Sequence, residues 1–137
     1  MPCPFCDLGG RAVLENEFAA VILSNPRKTK GHCLVIPKRH IEKPRELTEG
    51  ELLGIFKLIN AVEQKLIPAF GDGCDIRQNY RPFLKQDRTK VDHVHFHVIP
   101  RRFDDDIYKR VQYAETDLFE DLPESEAGEM AELLRRS

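Results

Sequence analysis

His93-Val94-His95-Phe96-His97-Val98-Ile99-Pro100-Arg101 is the stretch around which the rest of the chain organises. Side chains on a β-strand alternate between faces, so residues two apart share one. His93, His95 and His97 therefore fall on one side, with roughly 13 Å from first to last by strand rise. Val94, Phe96 and Val98 fall on the other, toward a core. His95 has an imidazole neighbour on each side, and mutual repulsion disfavours more than one proton among the three near neutral pH. Three readings follow: an exposed polar strand face, a metal site built from neutral imidazoles, or nucleophilic catalysis by one imidazole tuned by its neighbours. Strict alternation of an uncommon residue is not a propensity effect, which sets the first reading behind the other two.

Working outward, Arg81 to Lys90 is polar, basic and interrupted by Pro82, hence a loop, and Asp75 to Tyr80 before it reads as a strand. Further upstream, Thr48 and Glu51 have capping-box spacing, and Leu47 with Leu52 has the spacing of a hydrophobic staple. Leu52, Ile55, Phe56, Ile59, Val62 and Leu66 then repeat at helical period, and Pro68 is expected to end the helix. His32 to Ile36 is a short apolar strand stopped by Pro37, which puts His40 just past a strand end. Strands are also expected at 11–14 and 18–23, with a turn near Glu15-Asn16-Glu17. Met130, Leu133 and Leu134 among acidic residues mark a short C-terminal helix. The expected fold is a single α+β domain over 1–137. An antiparallel sheet of about five strands (11–14, 18–23, 32–36, 75–80 and 91–99) has one long helix packed across it and a C-terminal helix added.

The chain has 137 residues, the length of one ordinary domain. Lys+Arg is 21 against 23 Asp+Glu, a net charge of -2, so bulk charge gives no ground for a nucleic-acid or membrane-surface protein. No apolar run approaches the ~18–20 residues that cross a bilayer, and the N-terminus shows no signal-peptide pattern. The expectation is a cytoplasmic protein. Four cysteines are too few for a disulfide scaffold. Cys3-Pro4-Phe5-Cys6 has the spacing of half a tetrahedral zinc site. A thioredoxin-type redox pair lacks its βαβ context, and two free thiols are the remaining possibility. Cys33 and Cys74 read as small buried hydrophobes.

The histidine stretch resembles the signature of the histidine triad (HIT) superfamily of nucleotide hydrolases and transferases, His-x-His-x-His with apolar x. Gly31-His32-Cys33-Leu34-Val35-Ile36-Pro37-Lys38-Arg39-His40 resembles the family's second block, and the order of the two blocks with a helix between them also matches. The resemblance spans about residues 3–102. It implies an enzyme that cleaves at the α-phosphorus of a nucleotide, the substrate being a dinucleoside polyphosphate, a nucleoside phosphoramidate or an adenylated acceptor. His95 would be the nucleophile and form a nucleotidyl-imidazole, which water or another acceptor opens. His97 would bind phosphate oxygens or help the leaving group, and His32 would fix orientation or tautomer; the plainer reading of His32 is a satisfied core histidine. No divalent cation is needed for the scheme, so Lys38, Arg39, Arg88, Arg101 and Arg102 are candidate sources of positive charge.

The resemblance also places Phe5, Leu8, Ile22 and Leu34 around the base and Asn79 near the leaving group. The ribose-holding position falls on Ser24, with Asn25 beside it. Many relatives carry a Gly-rich stretch ending in Gly-Gln-[Ser/Thr]-Val before the triad. Here Arg81 to Asp92 has no glycine and looks longer, leaving Gln86, Arg88 and Thr89 to act through side chains. That departure motivates a second hypothesis, a zinc-stabilised nucleotide-binding module without turnover. Several members complete a structural zinc site with residues matching His40 and His93 beside Cys3 and Cys6. Members are commonly homodimers, so a homodimer is expected here too.

Overall fold

The computed structural model describes residues 2–112 and 115–136 of the chain. They divide into two compact units, Met1–Phe103 and Asp104–Ser137. In the first unit, five strands form one sheet: β1 (Leu14–Glu15), β2 (Ala19–Leu23), β3 (Cys33–Pro37), β4 (Gly73–Arg77) and β5 (Phe96–Arg101). Their order is β1-β2-β3-β5-β4, with each neighbouring pair antiparallel. Helix α1 (Glu49–Phe70) lies between β3 and β4 in sequence. In the second unit a helix α2 occupies Glu124–Arg135, as the Met130, Leu133 and Leu134 pattern predicts.

The two faces of the sheet have separate cores. Ala19, Val21, Cys33, Val35 and Val98 pack with Ile55, Leu58, Ile59 and Val62 of α1, and Val94 and Phe96 join them. Ile22, Leu34 and Ile36 project to the opposite face and pack with Phe5, Leu8 and Val91. The alternation of the strands thus supplies one face to the helix and leaves the other for the N-terminal segment and the histidines.

Thr48 caps α1: its side chain accepts from the Glu51 N–H while Glu51 accepts from the Thr48 N–H, the expected reciprocal pair. Of the two apolar residues flanking the cap, Leu47 enters the core while Leu52 stays 42% exposed. Phe56 is also on the exposed side, and the buried stripe is Ile55, Leu58, Ile59 and Val62. Pro68 lies inside the helix rather than ending it, and the terminus comes at Phe70 with Gly71 as cap.

Three strand boundaries depart from the sequence expectation. The first strand is only Leu14–Glu15, because the Asn16 side chain takes over the turn: its Oδ1 accepts from the N–H groups of Phe18 and Ala19, and its Nδ2 donates to the Gly54 carbonyl of α1. The fourth is Gly73–Arg77, ending before Asn79. The last begins at Phe96, so His93 and His95 precede the strand and are set by side-chain and backbone bonds rather than by the ladder. Gly31, immediately before His32, has φ +91, and a Cβ there would come within 2.9 Å of Phe70 and 3.2 Å of Pro100. Both the backbone conformation and the close approach call for glycine at this turn.

Candidate functional site

His93 anchors a four-residue cluster with Cys3, Cys6 and His40. One donor atom from each lies within 4.8 Å of every other. His93 Nδ1 is 3.3 Å from Cys3 Sγ, 3.6 Å from Cys6 Sγ and 3.2 Å from His40 Nδ1, and Cys6 Sγ is 3.2 Å from His40 Nδ1. A tetrahedral ion with ~2.3 Å bonds to sulfur and ~2.0–2.1 Å bonds to nitrogen demands donor–donor edges of about 3.3–3.8 Å. The two thiols and two imidazoles therefore fit such an ion with little movement. The outer nitrogens are engaged as well: His93 Nε2 donates to the Pro37 carbonyl at 2.9 Å, and His40 Nε2 faces Glu42 at 3.1 Å. These bonds leave Nδ1 of each ring to face the cluster.

Arg39 sets the segment that carries His40. Its guanidinium forks onto the Glu51 carboxylate, at 2.7 Å and 3.1 Å, and reaches the Glu46 carbonyl. Glu51 is 4% exposed and caps α1 at the same time. The Arg39 bond holds its carboxyl below the usual range, with burial opposing. A residue expected to supply charge to a substrate instead ties the His40 segment to a helix terminus.

The other histidines are ordered by backbone groups. His95 Nδ1 lies 2.7 Å from the His93 carbonyl, which has no proton to give, so Nδ1 carries the hydrogen and Nε2 keeps its lone pair. The Lys28 backbone N–H donates to His32 Nδ1 at 3.0 Å, so the His32 proton is on Nε2. That nitrogen is 2.9 Å from His97 Nδ1, which must accept, and His97 is left with an Nε2–H donor. The His95 and His97 rings are 5.1 Å apart, and Phe5 stands edge-on to His95 at 5.1 Å. Burial lowers the pKa of His95, opposed by its bond to the His93 carbonyl. His97 falls to about 3, through burial first and then repulsion from His95, His32, Lys28 and Arg77. His32 falls to about 4, from burial and then from Lys28. All three are neutral at pH 7, and the arrangement offers one unprotonated ring nitrogen beside one N–H donor.

Phe5, Ile22 and Leu34 pack into one buried apolar cluster on the histidine face, with Leu8 partly buried against it. Ser24 and Asn25 lie on the turn beyond β2: the Ser24 hydroxyl donates to the Pro26 carbonyl, and the Asn25 side chain accepts from Arg88 at 3.4 Å. Asn79 lines a cavity of about 140 Å³ that also touches Tyr80, Leu84, Thr89, His93 and His95. The loop at 81–92 uses its own polar side chains. Gln86 accepts from the Asp92 N–H, and Thr89 bonds Asp87 through both its N–H and its hydroxyl. Arg101 is ion-paired with Asp75 at 2.5 Å, Lys38 with Glu15 at 3.2 Å, and Arg102 faces Asp72 at 4.0 Å.

A different set of cations stands beside the triad. Arg77 of β4 is directly opposite His97 in the ladder. Lys28, whose backbone holds His32, is near enough to Arg77 and Arg81 that both lower its ammonium pKa, after burial, with Asp75 opposing. Sequence reasoning passed over these three. Only the β4–β5 register reveals Arg77.

Residues 9–104 match the HIT domain family model. The chain belongs to the HIT family. A HIT-like protein of Methanocaldococcus jannaschii is 33% identical over 128 residues, covering 89% of this chain and 97% of the relative. An adenosine 5'-monophosphoramidase of Schizosaccharomyces pombe is 33% identical, over 74% of this chain and 75% of the relative. A bis(5'-nucleosyl)-tetraphosphatase (asymmetrical) from the same organism is 27% identical, over 92% and 64%. Among solved structures, a zinc-bound histidine triad protein of Mycobacterium smegmatis superposes with a TM-score of 0.61 at 28% identity, over 77% of this chain and 79% of that one. The family contains nucleotide hydrolases, which is the general kind of reaction this fold supports. No helix among the described residues is long and apolar enough to cross a membrane.

Proposed function

We propose that the protein is a nucleotide hydrolase or nucleotidyl transferase that acts at the α-phosphorus through His95. The observation that carries this reading is the bond from His95 Nδ1 to the His93 carbonyl at 2.7 Å. It keeps the proton on Nδ1 and leaves Nε2 with its lone pair. Attack by Nε2 on phosphorus forms a nucleotidyl-imidazole, expels the leaving group and leaves positive charge on the ring. The His93 carbonyl stabilises that charge, and the cationic ring remains a good leaving group for the second step. The His97 Nε2–H, oriented through His32, hydrogen-bonds an oxygen that gains charge as the bond breaks. The base and ribose rest against Phe5, Leu8, Ile22 and Leu34, with Ser24, Asn25 and Asn79 at the polar margin.

Cys3, Cys6, His40 and His93 would hold zinc in a structural role. Their converging donor set supports this, as does the zinc-bound relative. Bound there, the ion ties the N-terminal segment to the residue whose carbonyl orients His95. A reducing, cytoplasmic setting suits the four free thiols. A homodimer is favoured by the edge strand β4 with its exposed Ile76, and by the exposed Leu53 and Phe56 of α1. Light scattering reads its mass directly.

The test is to incubate the protein with adenosine phosphoramidate and with diadenosine tetraphosphate, quench, and weigh the intact chain. An acid-labile nucleotidyl adduct lost in His95→Ala is the expected result. AMP release with undiminished rate in His95→Ala would overturn the reading. Tight binding of both substrates with no turnover would instead establish the binding module.

A further inference from the structure

The turn that leads into β3 is fastened to β5 by one hydroxyl. The β3–β5 ladder runs from Val35 opposite Phe96 to Cys33 opposite Val98 and goes no further. Before it, Thr29-Lys30-Gly31-His32 closes as a β-turn. The His32 N–H donates to the Thr29 carbonyl at 3.2 Å, and Gly31 holds φ +91. Pro100 of β5 is opposite Cys74 of β4, is fully buried, and has no N–H to exchange with β4. Nitrogen and carbonyl of one residue on an antiparallel strand face the same side. The Pro100 carbonyl therefore faces the β3 side, where the ladder has already ended. Thr29 supplies the missing donor: its Oγ1 donates to the Pro100 carbonyl at 2.8 Å.

This bond sits one residue from the group that sets the His32 tautomer. The Lys28 N–H donates to His32 Nδ1 at 3.0 Å. The other backbone bonds of the turn, Ser24 N–H to the His32 carbonyl and His32 N–H to the Thr29 carbonyl, stay within its own ends. Among the described residues, the Thr29 hydroxyl makes the hydrogen bond from 24–31 to β5.

The His32–His97 contact needs such a selector. One hydrogen lies between His32 Nε2 and His97 Nδ1, 2.9 Å apart, and either ring can own it. With His32 as donor, His97 carries its proton on Nε2. With His97 as donor, His32 carries its proton on Nδ1, and His97 Nε2 is bare. Both arrangements are neutral and satisfy the shared bond. The Lys28 N–H excludes the second, because it would face an N–H on His32 Nδ1.

We propose that Thr29 is a positioning residue for the triad. Its bond to the Pro100 carbonyl holds the Lys28 N–H on His32, and so keeps the proton on His97 Nε2. Thr29 acts through the turn and through two rings. No covalent bond changes; each ring keeps one proton, and only its place differs. The proposal rests on the α-phosphorus reading for the last link alone, the donation from His97 to substrate.

The experiment compares the full chain with Thr29→Val, which keeps the shape and removes the hydroxyl, and Thr29→Ser, which keeps the hydroxyl. Imidazole nitrogen NMR reads the tautomers. In the full chain both rings should be protonated on Nε2. In Thr29→Val both should move toward Nδ1 protonation. Its kcat for adenosine phosphoramidate should fall roughly 3–10-fold, the scale of one neutral hydrogen bond. KM should stay within about 2-fold, since the apolar face of Phe5, Ile22 and Leu34 is untouched. Thr29→Ser should restore ring signals and kcat together. Unchanged ring signals in Thr29→Val, or shifted signals with kcat intact, would overturn the proposal. So would a loss that Thr29→Ser shares in full, which assigns the effect to the methyl group. If Thr29→Val does not fold, the N–N coupling across the Lys28–His32 hydrogen bond decides in the other two proteins. Its absence from either overturns the clamp. A full chain that turns over no nucleotide would overturn the α-phosphorus reading, and the ring signals alone would then judge Thr29.

Discussion

The two ends of the histidine row use the same side chain in opposite ways. At the His93 end, Nε2 donates to the Pro37 carbonyl, so Nδ1 turns toward two thiols and another imidazole. Two residues on, His95 has Nδ1 committed to the His93 carbonyl, and Nε2 is the free nitrogen. At the His97 end, Nδ1 accepts from His32, and Nε2 becomes a donor. The role of each ring follows from which nitrogen a neighbouring group occupies, not from sequence position alone. One end is a four-donor corner with closed geometry. The other places His97 opposite Arg77 in the ladder, with Lys28 close enough to act on the same ring.

The comparison breaks most visibly at His95. Replacing it with alanine should lower kcat/KM by about 10⁴-fold or more, the scale of losing a nucleophile. The same substitution should leave the metal corner able to bind zinc, measured by zinc content after gel filtration. If activity and zinc were lost together, the two ends would be one site.

The metal corner should break the other way. Bound metal at about 1,000 times its Kd contributes ~4 kcal/mol. Chelation should therefore lower Tm by roughly 15 °C for a core of this size. Cys6→Ser should match it, and chelating that variant should produce little further change. A Tm unmoved by chelator in protein that analyses with one zinc per chain would exclude a structural role.

Acid separates the ends in a third way. His97 and His32 have folded pKa values near 3 and 4, against about 6.5 when unfolded. Below pH 6.5 the unfolded chain binds more protons than the folded one, so stability falls as pH drops and is retained in full above pH 6.5. Loss continues down to pH 4 and then 3, where the folded rings charge. Side-chain NMR should show both rings neutral at pH 5, and either ring charged at that pH would refute the ordered His32–His97 pair.

Much of this was legible in the chain, and the misses share a cause. The alternation of His93, His95 and His97, the Thr48–Glu51 cap and the Cys3–Cys6 spacing are local patterns, and each survives in the structure. Arg77 was not legible, because its place beside His97 depends on the β4–β5 register across a long connection. Arg39 and Arg101 were read as free charge. Their partners, Glu51 and Asp75, are distant in sequence. The strand at 91–99 was over-extended for a related reason. Alternation holds through His93 and His95, but there the partner is a cysteine pair or a carbonyl rather than a neighbouring strand. Periodicity reports which face a residue takes, not what occupies that face.

The smallest expected effect sharpens the comparison from outside both ends. Glu51 accepts from Thr48 to close the capping box and from Arg39 to hold the segment bearing His40. Glu51→Ala removes both bonds while leaving every histidine in place. Loss of the cap costs about 1 kcal/mol, a fall in Tm of roughly 4 °C. Because the Arg39 contact serves only the metal corner, zinc affinity should weaken while the tautomers of His32 and His97 persist. Chelator competition reads the first quantity and NMR the second. A change in the His32 or His97 ring signals would mean that the two ends communicate through α1. Unchanged signals would assign each end its own support, with the His93 carbonyl as the structural link between them.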